Sequence, residues 1–318
     1  MHTFDFRIYN HLMQRNLIDY LIISLKGIAM GAADAVPGVS GGTIAFISGI
    51  YEELISSISN INLSLFKTLF SKGFKTFWSQ VNGNFLLALL SGIVISFVSF
   101  MRLAKYLIEN EPILIWSFFF GLIIASIYFV GKQITKWGLL VIIGLILGAI
   151  SAFYISTLPS MANNETSYFL FFAGALAICA MILPGISGSF ILVILGAYKT
   201  LSDALHDFDV KKIVIFAVGA VIGLLSFSHL LKWLFKYFHN LTLAILTGFI
   251  FGSLNKVWPW KETITSYTNS KGIEIPLLEQ SVLPASYEGD NQIFLAISLM
   301  IVGFLTIFIL EKVGSKSN

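Results

Sequence analysis

Apolar residues in this chain come in long unbroken runs rather than in the stripes of a soluble helix. Phe85–Met101, Ile113–Val130, Gly138–Phe153, Ile213–Leu231 and Ile293–Leu310 are each nearly free of charge. Each approaches the ~20 residues a helix needs to cross the hydrocarbon core. A helix keeps its backbone hydrogen bonds within itself, so it can be laid through lipid. The pattern predicts spans near Phe85–Leu107, Ile113–Val130, Gly138–Thr157, Ile213–Phe235, Leu241–Lys256 and Gln292–Leu310. Two other apolar stretches are broken. Leu17–Ala33 runs into Pro37-Gly38 and Gly41-Gly42 and is followed by Thr43–Ile50, too short to span. Tyr168–Leu183 and Gly188–Tyr198 repeat this arrangement around Pro184-Gly185. Both predict re-entrant hairpins, over 17–56 and 168–203, because interrupted backbone at membrane depth must be enclosed by protein or line a wet cavity.

The chain is also doubled. Nine of the 18 residues in Pro37–Leu54 recur 147 positions later, including Pro37/Pro184, Ser40/Ser187, Gly49/Gly196 and Tyr51/Tyr198. A second block recurs at a spacing of 127, pairing Gly92 with Gly219, Lys105 with Lys232, Gly121 with Gly248 and Ser126 with Ser253. The change of spacing puts an insertion of 20 residues between Ser56 and Gly83. Internal repetition of this kind reads as two homologous units, here 15–157 and 168–312. The expected fold is an all-α polytopic membrane protein of two repeats, each a re-entrant hairpin plus three transmembrane helices. An odd number of crossings per repeat makes the repeats inverted. Within the insertion, 63–80 reads as an interfacial helix with Phe66, Phe70, Gly73 and Phe77 on one face and Lys67, Ser71 and Lys75 on another.

Composition agrees with this reading: 56% hydrophobic, 12% charged, mean hydropathy +0.84, against about 25% charged in soluble domains. The side of the membrane that holds Arg15, Lys67, Lys132 and Lys232 carries the excess of basic over acidic residues. The positive-inside rule therefore makes it cytoplasmic, with 1–14 and both termini there and the polar segment 257–290 outside. The polar start of the chain reads as no cleavable signal. The single cysteine, Cys179, excludes an internal disulfide and reads as a small buried residue. No basic cluster interleaved with aromatics points to nucleic acid, and no metal or cofactor motif stands out.

The informative motif is Pro-Gly-x-Ser-Gly-[Gly/Ser]. Proline and glycine end one half-helix, and Ser40 or Ser187 can cap the next. A half-helix N-terminus at mid-depth, one per repeat, attracts a phosphate or carboxylate and is the usual pointer to a transporter site. The competing account is tight helix packing through small residues. On the ligand reading the substrate-binding residues are Pro37, Gly38, Ser40, Gly41, Gly42, Thr43, Pro184, Gly185, Ser187, Gly188 and Ser189. Lys26 and Asp34 join them as charges inside the apolar run. They lie about 12 Å apart on a continuous helix at 1.5 Å per residue, too far to pair. Asp34 serves equally well as a backbone cap, and Lys26 as a structural cation. Arg102, with its planar fork of donors, completes the set against plain snorkelling. Asp34 and His229 are the candidates for proton coupling.

With these residues identified, the chain resembles the polyprenyl-phosphate transporter family (PopT), formerly a domain of unknown function. The resemblance rests on Gly31-Ala32-Ala33-Asp34-Ala35-Val36-Pro37-Gly38-Val39-Ser40-Gly41-Gly42-Thr43 and on Leu183-Pro184-Gly185-Ile186-Ser187-Gly188-Ser189, and covers nearly the whole chain. It implies the return of undecaprenyl phosphate, the carrier lipid of cell-wall precursors, from the outer to the cytoplasmic leaflet of the bacterial inner membrane. Its implied partners are that lipid and the bilayer, with no catalytic residue and no cofactor; a homo-oligomer stays open. Where the first motif has Thr43 the second has Phe190, so the two half-sites are not equivalent. The alternatives are an undecaprenyl-pyrophosphate phosphatase and a transporter of a small soluble anion. The phosphatases share the Pro-Gly-x-Ser hairpins but follow the serine with arginine and add a Glu-x-x-x-Glu pair, whereas Gly41 and Gly188 follow the serines here and no such pair occurs.

Overall fold

The computed structural model describes residues 15–34, 40–158, 166–268 and 274–315. Its first hairpin is α1 (Leu17–Asp34), the short α2 (Gly41–Ile47) and α3 (Tyr51–Ser59). Two short helices follow, α4 (Leu63–Lys72) and α5 (Phe74–Gln80), then the long α6 (Gly83–Asn110), α7 (Pro112–Lys132) and α8 (Leu139–Thr157). The order then recurs as α9 (Ser167–Ile182), α10 (Gly188–Ile194), α11 (Tyr198–His206) and α12 (Val210–Gly252). A 3-10 turn, Ser253–Val257, leads to β1 (Lys261–Thr268) and β2 (Glu274–Ser281), and α13 (Ile293–Ser315) closes the chain. The architecture is an all-α polytopic membrane protein that carries one small hairpin among the described residues. α7, α8 and the stretch Val210–Val257 are each long and apolar enough to cross a membrane, and α5 with α6 passes as a pair bent by 66°.

α12 has 43 residues, about 65 Å at 1.5 Å per residue, twice the ~30 Å hydrocarbon thickness. It leaves helical geometry at Phe238 (φ −133°, ψ 43°), so it is two helical segments, 210–237 and 239–252, joined at a kink. The expected single interfacial helix is two, because Gly73 adopts φ 81° between α4 and α5. Part of the polar segment 257–290 folds as an antiparallel hairpin, Lys261 opposite Ser281 and Thr268 opposite Glu274. Two indoles tie it to the helices. Trp258 Nε1 donates to Val282 O and Trp260 Nε1 to Asn291 O, both at 2.8 Å. Trp260 is buried with Ile113 of α7 and Ala296 of α13.

The packing repeats as the sequence does. Gly92 of α6 has no room for a Cβ against Ser24 O of α1, and its counterpart Gly219 of α12 has none against Phe171 O of α9. Between the two halves, Gly121 of α7 lies on Met300 O of α13, while Gly248 of α12 lies on Leu145 O of α8. Gly148 of α8 meets Ile245 O and Gly303 of α13 meets Phe118 O. Each half thus lends its second long helix to the third of the other. Where lipid supplies no hydrophobic driving force between helices, such close backbone approach provides the packing energy.

A side chain placed in this seam must push two helices apart. Gly121→Ala is expected to destabilise the protein by about 1–3 kcal/mol, the usual cost of overpacking. Gly131→Ala, whose new Cβ meets only Thr247 Cγ2 at 3.8 Å, should be neutral or gain up to about 1 kcal/mol of helix propensity. Thermal unfolding of both variants in one detergent checks the difference.

Candidate functional site

α2 begins where Ser40 leaves helical geometry (φ −118°, ψ 129°) and its Oγ accepts from Gly42 N at 3.1 Å. Asp34, at the end of α1, accepts from Gly41 N at 2.7 Å through Oδ1. Thr43 N donates to Ser40 O at 2.9 Å. The first three N–H groups of α2 are therefore satisfied by the chain itself, and Asp34 supplies the negative charge that a helix N-terminus favours. Pro37 and Gly38 lie outside the described residues.

The second break lies against the first. Ser40 Oγ is 3.1 Å from Met181 O and 3.3 Å from Leu183 O, two carbonyls left open as α9 ends. Gly185 N, at φ 88°, donates to Thr43 Oγ1 at 2.9 Å. Gly42 leaves no room for a Cβ against Met181 O and Ile182 O, at 2.8 and 2.6 Å. Orphan backbone groups of the second break are thus answered by side chains of the first.

The two tips are finished differently. At the position of Asp34 the second half has Met181, whose Cγ lies where a Cβ on Gly188 would go, just as Asp34 Oδ2 lies against Gly41. Ser187 has N-cap geometry (φ −95°, ψ 131°), but its side chain does not cap α10; its Oγ is 2.8 Å from Ser189 Oγ. One of those two hydroxyl protons is left for another acceptor. Beside this tip is a narrow crevice of about 10 Å³, lined by Gly185, Ser187 and Phe190 of the tip, Ser156 of α8, and Ser253 and Lys256 of the 3-10 turn. Where Gly252 packs on Ala149 and Ala152, the far side of the same seam holds a larger apolar groove of about 510 Å³. Phe120, Phe153, Phe251 and Trp258 line it.

The outlying candidates fall elsewhere. Lys26 Nζ donates to Ser48 O at 2.8 Å. Ser48 is the C-cap of α2, so this cation answers the negative end of the half-helix rather than the Ser40 tip. The side chain of Arg102 is outside the described residues, although its backbone belongs to α6. His229 is exposed and its Nδ1 is 2.6 Å from Leu225 O of its own helix. The sequence offers little sign of the crevice residues. Ser253 stands out only as the match of Ser126, and Lys256 only as the cation ending a span.

The two ends of the protein also differ. At the end holding Arg15, Glu53 takes a bidentate pair from Arg15 at 2.6 and 2.8 Å, and Asn82 adds a bond at 2.8 Å. Glu52 pairs with His239 at 3.2 Å, joining α3 to α12. Tyr51 is 2% exposed there, wedged between Phe46 and Phe235. Its counterpart Tyr198, at the other end, is 45% exposed. At that end Lys256 and Lys261 share Glu279, each 3.6 Å from Oε2. Burial pushes the Lys261 ammonium down to about 8, against the pull of Glu279.

Paired broken helices joined tip to tip inside a repeated helical scaffold define a membrane transport protein. The chain belongs to the undecaprenyl phosphate translocase-like family, whose model matches residues 30–275. It is 45% identical to the polyprenyl-phosphate transporter of Vibrio cholerae serotype O1 over 308 residues, 96% of this chain and all of that one. It is 34% identical over 260 residues to the polyprenyl-phosphate transporter of Staphylococcus aureus, covering 74% of this chain and 85% of the relative. No solved structure matches. The family expected from the two motifs is the family found, and these names are those of transporters, not of enzymes.

Asp34→Ala strips the cap from Gly41 N and is expected to cost about 0.5–2 kcal/mol, whereas Asp34→Asn keeps an acceptor and should cost less. Unfolding midpoints of the two variants, with amide exchange at Gly41, check this.

Proposed function

We propose that this protein carries a polyprenyl phosphate between leaflets, returning undecaprenyl phosphate from the outer to the cytoplasmic leaflet of the bacterial inner membrane. The supporting observation is the difference between the two tips. The first is closed by its own carboxylate, Asp34, and its own serine, Ser40. The second carries no side-chain cap and borders a crevice, and Met181 brings it no carboxylate, so a phosphate entering from the crevice can supply the negative charge that Asp34 supplies in the first. The names of the two relatives supply the lipid class.

In this reading Gly185, Gly188, Ser187 and Ser189 hold the head group, with Pro184 ending the helix before them. Ser40, Gly41, Gly42 and Thr43 hold the second tip in place, and Lys26 anchors the far end of α2. The apolar groove beside Phe153 and Trp258 receives the first prenyl units. The rest of the tail stays in lipid, so only a charged head crosses the protein. The two repeats are inverted, and transport is alternating access between them. The structure then represents the form sealed at Tyr51 and open at Tyr198. In the opposite form Tyr51 becomes exposed and the Glu52–His239 pair parts.

The test uses purified protein in liposomes carrying undecaprenyl phosphate, with an impermeant probe following the exchange of lipid between leaflets and phosphate release followed in parallel. The proposal expects protein-dependent exchange without phosphate release. The double variant Ser187→Ala/Ser189→Ala removes hydroxyls that bond a charged group, each worth about 1.5–3 kcal/mol; it should slow exchange by tenfold or more at sub-saturating lipid. Phosphate release from the pyrophosphate form would put the chain with the phosphatases. Exchange indifferent to the double variant would remove the head group from the second tip.

A further inference from the structure

The crevice has a charged rim that the transport reading does not use. Lys256 leaves the 3-10 turn after α12, and Lys261 opens β1. Both ammonium groups lie 3.6 Å from the same carboxylate oxygen, Glu279 Oε2, on β2. Lys261 is further held by its bond to Lys256 O at 2.5 Å and by the Trp116 ring at 5.1 Å, and its side chain is only 10% exposed. It has nowhere to go. Lys256 is less confined, at 27% exposed, and its Nζ stands 4.6 Å from the centre of the Phe190 ring. Phe190 is the residue that replaces Thr43 in the second motif, and both it and Lys256 line the crevice. Two cations on one carboxylate leave a surplus positive charge. The carboxylate contact at 3.6 Å is longer than a close charge-assisted hydrogen bond of about 2.7–2.9 Å, so the pair is loosely made.

We propose that Lys256 is a phosphate-binding residue of this transporter, that Glu279 is its resting counterion, and that an arriving phosphate monoester displaces Glu279 from Lys256 while Lys261 retains it. This deepens the transport reading and rests on it. The geometry gives each residue a separate task. Phe190 keeps the Lys256 side chain over the crevice through its ring face, an attraction that tolerates movement of the ammonium. Glu279 keeps the rim from presenting an uncompensated charge when the crevice is empty. Lys261, fixed by its carbonyl bond and its indole, keeps Glu279 from becoming an unpaired anion beside the incoming phosphate. A dianionic or monoanionic phosphate outcompetes a carboxylate already shared between two cations, and a neutral lipid head does not.

The experiment compares Lys256→Gln, Lys256→Arg and Glu279→Gln with the wild-type protein in liposomes, with undecaprenyl phosphate presented on the hairpin side. The half-saturating lipid concentration for exchange is read, and thermal midpoints are read alongside to register any loss of folding. Lys256→Gln should raise half-saturation about tenfold or more, the effect of losing a charged partner of about 1.5–3 kcal/mol. Lys256→Arg should stay within about threefold of wild type, since it keeps the charge. Glu279→Gln should lower half-saturation, a direction that damage to the hairpin would not produce. Inorganic phosphate, tested as a competitor, should inhibit only weakly and should lose that effect in Lys256→Gln. Wild-type exchange that is unaffected by Lys256→Gln overturns the inference and leaves the transport reading standing. A rise in half-saturation for Glu279→Gln overturns the counterion role. Inorganic phosphate competing as well as the lipid overturns the lipid assignment of the rim. Absence of exchange in the wild type overturns the transport reading itself.

Discussion

Two helices broken inside an apolar protein create backbone groups that lipid cannot satisfy, and satisfying them, the first break by its own side chains and the second by those of the first, is the constraint on which this structure turns. Each unpaired group in hydrocarbon costs several kcal/mol. Ser40 answers the carbonyls that end α9, Thr43 answers Gly185 N, and Gly42 allows the close contact. The second break depends on the first. The requirement explains why the two copies meet. It also explains why the surrounding helices exchange partners between halves, α7 on α13 and α8 on α12, since that exchange encloses both tips.

Within this shared frame, small differences between the copies set the roles. Asp34 makes the first tip electrically complete, and Met181 leaves the second without a carboxylate. Thr43 is spent on joining the tips, while Phe190 is free to sit beneath Lys256. Lys26, whose counterpart is the buried Ala173, compensates the C-terminal end of α2. In the alternating access proposed above, a scaffold of similar halves supplies two states of similar energy. On the proposed reading, the divergent residues decide which half is closed on itself and which receives the anion.

Much of this was legible in the sequence. The apolar runs, the doubled Pro-Gly-x-Ser and the spacing of 127 marked the helices, the breaks and the matched seam glycines. The cap by Ser40 was readable because serine directly precedes Gly-Gly. Other features depended on the chain turning back. Asp34 is eight residues from Lys26 along one helix, yet its partner is Gly41, across the break. The partner of Lys26 is a carbonyl, which no side-chain pattern records. The third helix of each half was expected, but the match between them was hidden because the hairpin lies between α12 and α13, shifting the pairing of Gly148 with Gly303 to a spacing of 155. Polar alternation in Lys261–Thr268 read as loop, since a short hairpin tied down by Trp258 and Trp260 has no apolar face of its own to announce it.

The central claim is that the anionic head binds the second tip and leaves the first to its own carboxylate. Amide hydrogen exchange on wild-type protein in lipid nanodiscs, with and without undecaprenyl phosphate, tests it without any substitution. The account predicts slower exchange over 185–191 on adding the lipid, with 40–47 unchanged. Protection confined to 40–47, or none at either tip while the lipid is bound, would contradict it.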